Sequence, residues 1–324
     1  MRTQPTILCL LAALACTGSG ASDVEEALSP PGPIPTTEPT ENEGPTFTEP
    51  GTTDTTDTTE TTEEPPVSGV REACYLGLDR SHTTCIELLE LGTVPAEYVY
   101  PAPLDGSPQY LEPAAYLELA LLDPAMNLAP NFVLDEVAQE WKGPYAVVQP
   151  HAIEHLQQMR DQLGALVVNS GYRNPDYNAA VGGATWSRHM YGDAFDLDPV
   201  SVTLDDLADA CYAEGADFVS VYVSHVHCDW RNSGLDAAFY GSSPMLAGLL
   251  DLGPLQTAQM VEVGGVFSAP AEGWDEGEPL RRWRAYDAAG NWIDSVEEAT
   301  YVPPADAARV VVNVGLVLEI EADL

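Results

Sequence analysis

The tract from Ser19 to Pro66 decides which part of this 324-residue chain can fold. It consists mainly of Thr, Glu, Pro, Gly and Ser, and it includes the low-complexity run T-T-D-T-T-D-T-T-E-T-T-E-E-P-P. Almost no large apolar side chain is present, so the tract cannot bury enough surface to offset the entropy lost on folding. We therefore predict a disordered, acidic Thr/Glu/Pro-rich linker over residues 17–70, which charge repulsion and proline keep extended.

The residues before the linker have the layout of an export signal. Arg2 precedes an apolar run from Ile7 to Ala15, which is too short to span a bilayer. The sequence A-L-A-C resembles a bacterial lipoprotein processing box, in which Cys16 becomes the lipidated first residue. This predicts a lipoprotein signal peptide over residues 1–16, a lipid anchor in the membrane and a place in the bacterial cell envelope. Cleavage near S-G-A at 19–21 would instead give a free secreted protein.

The net charge of −39 limits the partners of the folded part. The linker accounts for only part of this charge, so the remainder of the chain is acidic too. Such a field repels nucleic acid and anionic surfaces. We expect no nucleic-acid partner, and the 45% hydrophobic content is enough for a real core.

Four cysteines follow the export segment, in a compartment where disulfides form. They allow three pairings. The short spacing favours a disulfide between Cys74 and Cys85, and therefore a second one between Cys211 and Cys228. A metal site of thiols is the weaker interpretation, because no C-x-x-C is present.

Hydrophobic periodicity predicts alternating helices and strands after the linker. Apolar residues at helical spacing indicate helices over 151–163 and 203–214, and Gly164 ends the first. Strands are indicated by the runs A-L-V-V-N-S, A-F-D-L-D-P, D-F-V-S-V-Y-V and S-H-V-H-C-D-W.

The last of these runs points to a metal. A two-residue period sends His225, His227 and Asp229 to one face of the strand, and Cys228 to the other, where it can reach Cys211. A polar stripe of this composition is costly to bury without a partner, and a zinc ion with an open coordination position is a suitable one. A second group, S-R-H-M-Y-G-D-A-F-D, adds a histidine and a carboxylate seven residues apart, His189 and Asp196.

Three motifs in order resemble one family. S-G-Y-R-N-P-D-Y-N-A-A-V-G-G-A, S-R-H-M-Y-G-D-A-F-D and H-V-H-C-D are similar to the zinc D-alanyl-D-alanine carboxypeptidases, whose fold is shared by the hedgehog signalling domain. The signature S-x-H-x-x-G-x-A-x-D is complete from Ser187 to Asp196. The likeness runs from about Leu128 to Arg231 and implies an α+β zinc domain, which we place at residues 71–240, with an antiparallel sheet flanked by helices.

The resemblance also implies a function and a set of roles. The substrates would be D-amino-acid-containing peptides of peptidoglycan, hydrolysed by water that one Zn²⁺ per domain activates. Arg173 would steady the oxyanion, and His225 would line the pocket as a proton donor. The remaining roles are carried over residue by residue: zinc ligands His189, Asp196 and His227, and ligand-orienting partners Ser187 and Asp229.

One departure from the family leaves the chemistry open. Some members place a glutamate a few residues before the third ligand as general base, whereas residues 221–224 are Val, Tyr, Val and Ser. The alternative function is therefore a catalytically silent, zinc-bearing binding module at the cell surface. The sequence leaves exo and endo cleavage open as well.

The C-terminal part has a different pattern. Residues 251–324 contain alternating strands and the hairpin turn D-A-A-G-N, which predict a small accessory β-sandwich. The basic run L-R-R-W-R is compatible with a face for the cell wall or another partner, and a plain structural appendage is an equal alternative. The partner of this part is unknown.

Overall fold

The computed structural model describes residues 71–103, 108–241, 256–274 and 277–324. The predicted signal peptide, Cys16 and the linker over 17–70 lie outside the described residues. In the described part, no helix has both the length and the apolar character needed to cross a membrane.

The helices of the described residues include both of those predicted from periodicity. Gly164, at φ 84°, follows the longer one, as the sequence indicates. The α-helices are α1 (Leu134–Val137), α2 (Pro150–Leu163), α3 (Pro175–Ala180), α4 (Leu204–Ala213) and α5 (Ala237–Tyr240). Short 3-10 helices cover Ala96–Tyr98, Pro108–Tyr110, Leu119–Leu121, Glu140–Lys142 and Arg188–Tyr191.

The strands of the described residues fall into two groups along the chain. The first group is β1 (Glu72–Tyr75), β2 (Thr84–Glu87), β3 (Leu117–Glu118), β4 (Asn127–Ala129), β5 (Phe132–Val133), β6 (Tyr145–Ala146), β7 (Leu166–Ser170), β8 (Ala194–Pro199), β9 (Phe218–Val221) and β10 (Val226–Asp229). The second group is β11 (Thr257–Ala258), β12 (Val261–Val263), β13 (Val266–Ser268), β14 (Ala271–Glu272), β15 (Arg281–Tyr286), β16 (Trp292–Glu297), β17 (Thr300–Tyr301), β18 (Arg309–Val314) and β19 (Leu318–Asp323).

A four-stranded antiparallel sheet in the order β7-β8-β10-β9 forms the centre of the first group. Helix α4 packs against β8, β9 and β10. The disulfide between Cys211 and Cys228 joins α4 to β10, with 6.0 Å between the two Cα atoms. The first four residues of β8 are all buried, so Asp196 is as inaccessible as its apolar neighbours.

The second predicted disulfide is also present. Cys74 and Cys85 lie directly opposite each other in the β1–β2 pair. The structure therefore contains both cysteine pairs that the spacing favours. The mixed content of helices and antiparallel strands agrees with the predicted α+β class.

Residues 256–274 and 277–324, here called the β module, contain a second apolar core. Its sheets have the orders β16-β15-β18-β19, β12-β13-β17 and β11-β14. The predicted turn joins β15 to β16, where the Asp287 N–H donates to the Asn291 carbonyl at 3.0 Å. Side chains from more than one sheet fill the core: Phe267, Ala269, Trp283, Ala285, Tyr301, Val310, Val312 and Val314.

The basic run of the β module is engaged within the chain. Arg281 is buried, and its Nε donates to the Ala269 carbonyl at 2.7 Å. Arg282 pairs with Asp205 of α4 at 2.8 Å. The described residues between Glu64 and Leu324 belong to one compact unit, and the Arg282–Asp205 pair joins its β module to α4.

Candidate metal centre

Three buried side chains meet where β8 and β10 pair. Asp196 on β8 and His227 on β10 are directly opposite each other in the antiparallel register. His189 lies in the 3-10 helix Arg188–Tyr191, just before β8. His227 Nδ1 is 3.0 Å from Asp196 Oδ1, and His189 Nε2 is 3.3 Å from both of these atoms. The sequence separates these residues, and the strand register brings them together.

The three donor atoms fit a zinc ion. In a tetrahedral site with Zn–N and Zn–O bonds of about 2.0–2.1 Å, neighbouring ligand atoms are roughly 3.3–3.4 Å apart. The observed separations of 3.0–3.3 Å come close to one face of such a tetrahedron. Two imidazoles and one carboxylate also match the ligand set of catalytic zinc sites, which leave one position open. Among the described residues, His189, Asp196 and His227 are the group that could hold a metal.

The other ring nitrogen of each histidine is held by an acceptor. His189 Nδ1 donates to the Gly171 carbonyl at 2.7 Å, and His227 Nε2 donates to Asp229 Oδ2 at 3.2 Å. Arg231 Nε in turn donates to Asp229 Oδ1 at 2.8 Å. These bonds orient the rings so that, once each ring is neutral, His189 Nε2 and His227 Nδ1 would present their lone pairs to a metal ion. Asp229 therefore holds the ring of a proposed zinc ligand.

The role of Arg231 was not predicted from the sequence, although its spacing from Asp229 indicates it. It follows Asp229 by two residues, which is the spacing that keeps side chains on one face of an extended chain. A buried carboxylate beside a histidine requires a compensating cation, so an arginine at this position is a predictable partner.

The pKa values of the buried groups in the centre differ strongly from their ordinary values in the metal-free protein. Burial disfavours the charged forms, but the neighbouring groups outweigh it. His189 and His227 hold the pKa of Asp196 well below its ordinary value. Burial lowers the pKa of His227, while the hydrogen bonds to Asp196 and Asp229 raise it to about 10. Arg231 and His227 likewise overcome burial and hold the pKa of Asp229 below its ordinary range.

An open cleft of about 710 Å³ leads to Asp196 and is also lined by Arg173 and His225. Arg173 Nη2 donates to Asp196 Oδ2 at 2.7 Å, and its Nε donates to Ser170 Oγ at 2.9 Å. The guanidinium therefore lies at the cleft and orients the carboxylate of a proposed ligand at the same time. The sequence predicted that Arg173 acts on the substrate, but it did not predict the contact with the Asp196 carboxylate.

His225 lies one residue ahead of strand β10, which begins at Val226. The Tyr222 N–H donates to the His225 carbonyl at 2.9 Å, which closes the turn between β9 and β10. The His225 ring stacks on Tyr222, with centroids 4.5 Å apart and planes 12° apart. Its Nε2 has no hydrogen-bond partner among the described residues, and burial lowers its pKa.

Ser187 begins the turn that carries His189. Its carbonyl accepts from the Met190 N–H at 3.1 Å, and its side chain lines a small cavity together with His227. Ser187 is buried, so its contribution to the described site is to shape the backbone and wall beside the ligands.

Trp141, Lys142 and Tyr177 line another wall of the cleft and were not assigned from the sequence as site residues. Trp141 is 71% exposed, and its ring meets Tyr177 edge-on at 5.5 Å. Asp135 and Glu136 add carboxylates to the same wall. Trp141 and Lys142 lie outside the three motifs, whereas Tyr177 belongs to the one that begins at Ser170.

The comparisons with known proteins agree with this centre. Residues 130–229 match the family model described as Peptidase M15, and this segment contains all three donor residues. This match, on the segment that carries the three motifs, confirms the resemblance predicted from them.

A particular relative is the zinc D-Ala-D-Ala carboxypeptidase of Streptomyces albus G. It is 45% identical to this chain over 62 residues, which are 18% of this chain and 24% of the relative. The chain thus spans about a quarter of the length of the curated relative that it matches.

Proposed function

We propose that this protein is a zinc-dependent peptidase that cleaves D-amino-acid-containing peptides of bacterial peptidoglycan, as a carboxypeptidase or an endopeptidase. The observation that carries the proposal is the buried His189, Asp196 and His227 triangle, which has tetrahedral spacing and borders an open cleft. The match to a protein named zinc D-Ala-D-Ala carboxypeptidase supports the substrate class.

The residues around the centre have distinct tasks in this proposal. Bound zinc would supply a Lewis acid that polarises a carbonyl and activates water. Asp229 and Arg231 keep the His227 ring oriented. Arg173 presents a fixed positive charge beside the cleft, where it can stabilise negative charge on the scissile carbonyl oxygen.

His225 is the proposed proton carrier. Its lowered pKa leaves the ring neutral near pH 7, so its Nε2 can accept a proton and later donate it to the leaving amine. Because residues 221–224 contain no glutamate, the proton must be carried by another group, which is either His225 or a carboxylate of the cleft. Besides Asp196, the cleft is lined by Asp135 and Glu136, and Glu136 is already paired with Arg160 at 2.9 Å, which leaves Asp135 as the acid to test.

The proposal extends to the organisation of the chain. We assign the hedgehog/DD-peptidase fold to residues 71–240 and a small β-sandwich to residues 251–324. Residues 1–16 would direct export, and acylated Cys16 would hold the protein in the membrane of the cell envelope, with the 17–70 linker as a stalk.

Incubation of purified protein with muropeptides, followed by mass measurement of the products, tests the activity. The zinc-loaded protein should release a terminal D-amino acid or divide a cross-linked peptide, and chelation should abolish both. A fully zinc-loaded protein that binds muropeptides but leaves every mass unchanged would reject the peptidase and favour the silent binding module.

A further inference from the structure

The β module is hydrogen-bonded to the exposed edge of the central sheet. Strand β9 is the outer strand of the order β7-β8-β10-β9. The Val221 N–H donates to the Gly315 carbonyl at 2.9 Å, and the Leu280 N–H donates to the Val221 carbonyl at 2.9 Å. The module thereby satisfies edge groups that would otherwise face solvent.

The contact continues past the end of β9 into the turn before β10. The Val223 N–H donates to the Glu278 carbonyl at 3.2 Å, and Tyr222 forms an isolated antiparallel bridge with Pro279. The β module therefore holds the backbone on both sides of Tyr222.

A side-chain bond reaches the strand that supports the metal centre. Trp274 Nε1 donates to Ser220 Oγ at 3.0 Å. Ser220 lies directly opposite His227 in the β9–β10 register. The module is thus connected to the backbone that pairs with a proposed zinc ligand.

Tyr222 transmits the contact to the cleft. Its ring stacks on His225, whose Nε2 has no hydrogen-bond partner among the described residues, so stacking and the Ser224 contact at 3.1 Å fix the imidazole. Gly277 of the module lines the same cleft as His225 and Arg173.

We propose that the β module is part of the active site. The module holds the backbone of residues 221–223 and thereby positions His225, and Tyr222 is the positioning residue. This inference rests on the proposed function, because His225 matters only if the cleft is catalytic. A short turn with an exposed neighbour such as Val223 would open locally without outside bonds, and a displacement of about 1 Å can lower turnover about a hundredfold.

Gly315 offers a way to loosen the contact in the complete chain. It has φ +61°, and an added Cβ would lie 2.8 Å from Trp274 Nε1 and 3.2 Å from Ser220 Oγ. Gly290 is a matched control in another hairpin turn of the same module, with φ +83° and no atom within 4 Å of an added Cβ. Both positions have positive φ, so both Gly→Ala changes strain the backbone, but only Gly315→Ala adds a close contact at the interface.

Hydrogen exchange and kinetics on zinc-loaded protein then separate the two variants. Gly315→Ala should speed exchange at the Val221 and Val223 amides at least about tenfold more than Gly290→Ala does. It should lower kcat about ten- to a hundredfold with KM changed less than about threefold, and with full zinc content. Equal exchange, or equal kcat, in the two variants would overturn the proposal.

Tyr222 provides a second test that does not depend on the module folding. Tyr222→Ala should lower kcat about ten- to a hundredfold at nearly constant KM, and Tyr222→Phe should restore it because the stacked ring remains. Val223→Ala, at an exposed neighbour, should match wild type. A Tyr222→Ala protein with wild-type kcat would reject Tyr222 as a positioning residue. If wild type itself cleaves nothing, the exchange contrast still decides whether the module holds this turn, and only the proposed function fails.

Discussion

At the scale of the residue, the centre depends on how each imidazole and carboxylate is held. Asp196 has one oxygen toward the two histidines and the other toward Arg173. His227 lies between two carboxylates, Asp196 and Asp229. These contacts place opposite charges within a buried site, so protons and a metal ion compete for the same atoms.

Zinc binding should therefore release protons. The pKa of His227 is raised to about 10, so this ring is protonated at pH 7 in the metal-free protein and must lose its proton to bind zinc. The apparent affinity should fall about tenfold for each unit of decreasing pH for this proton. Calorimetry in buffers of different ionisation enthalpy measures the release. His225→Ala should retain it, whereas a binding enthalpy independent of the buffer would contradict the assignment.

The raised pKa of His227 also affects the stability of the metal-free protein. This stability falls as the pH rises, whereas the affinity for zinc increases. Because the folded-state pKa lies above the ordinary value of 6.5, protonated His227 stabilises the metal-free protein fully below about pH 6.5. This contribution is lost as the pH rises through about 10.

Arg173→Ala should lower turnover about a hundred- to a thousandfold at saturating zinc, because it removes a preorganised cation beside the scissile carbonyl. Arg173→Lys should recover only part of the rate, since lysine keeps the charge but not the fork that reaches both Ser170 and Asp196. Steady-state kinetics with zinc content measured in parallel decides the point. A fully loaded Arg173→Ala protein within threefold of wild type would exclude the role.

At the scale of the element, the turn Arg188–Tyr191 and strands β8 and β10 bring the three proposed ligands together. The glycine of the signature ends this turn in the left-handed region, at φ +79°. An added Cβ at Gly192 would lie 2.3 Å from the Val147 carbonyl oxygen, so the motif requires glycine for both conformation and space.

Gly192→Ala should destabilise the protein more than Gly241→Ala does. Gly241 also lies in the left-handed region, at φ +75°, but an added Cβ there would make only ordinary contacts with the Arg71 side chain, at 3.5 Å or more, so it reports the backbone strain alone, about 1–2 kcal/mol. Gly192→Ala should cost about 1–3 kcal/mol more because backbone must move. Urea unfolding of zinc-loaded protein gives both values. Equal losses would show that the close approach to Val147 is unimportant.

Local patterns predicted these elements well. Helix α2, helix α4 and strands β7 to β10 follow the hydrophobic periods of the sequence, and the paired cysteines follow from spacing. Strand β10 is shorter than the run S-H-V-H-C-D-W, because it begins at Val226, after the turn that the Tyr222–His225 hydrogen bond closes. A two-residue pattern cannot reveal where such a turn ends.

At the scale of the whole molecule, the unpredicted features are long-range. The sequence left the β module as either an appendage or a partner-binding face, and nothing in L-R-R-W-R indicates that Arg282 pairs with Asp205 of α4. The docking on β9 and the approach of Gly277 to the cleft depend on tertiary packing between distant segments. Periodicity and motifs carry no information about such pairings.

Cys16→Ser tests the proposed anchor in the native host. Stable retention requires more than one acyl chain, and the substitution removes the cysteine that would be acylated. The protein should therefore move from the membrane fraction to the soluble fraction. Fractionation with immunodetection measures the change. Unchanged retention would point to another anchor.

Titration of metal-free protein with zinc, with release of D-alanyl product followed at each step, tests the central claim most directly. Wild type should gain activity linearly and reach a plateau at about one zinc per chain. His227→Ala should stay inactive at the same zinc concentration, because one corner of the donor triangle is gone. Product release that is independent of zinc, or a wild-type protein that binds one zinc and releases nothing, would contradict the account.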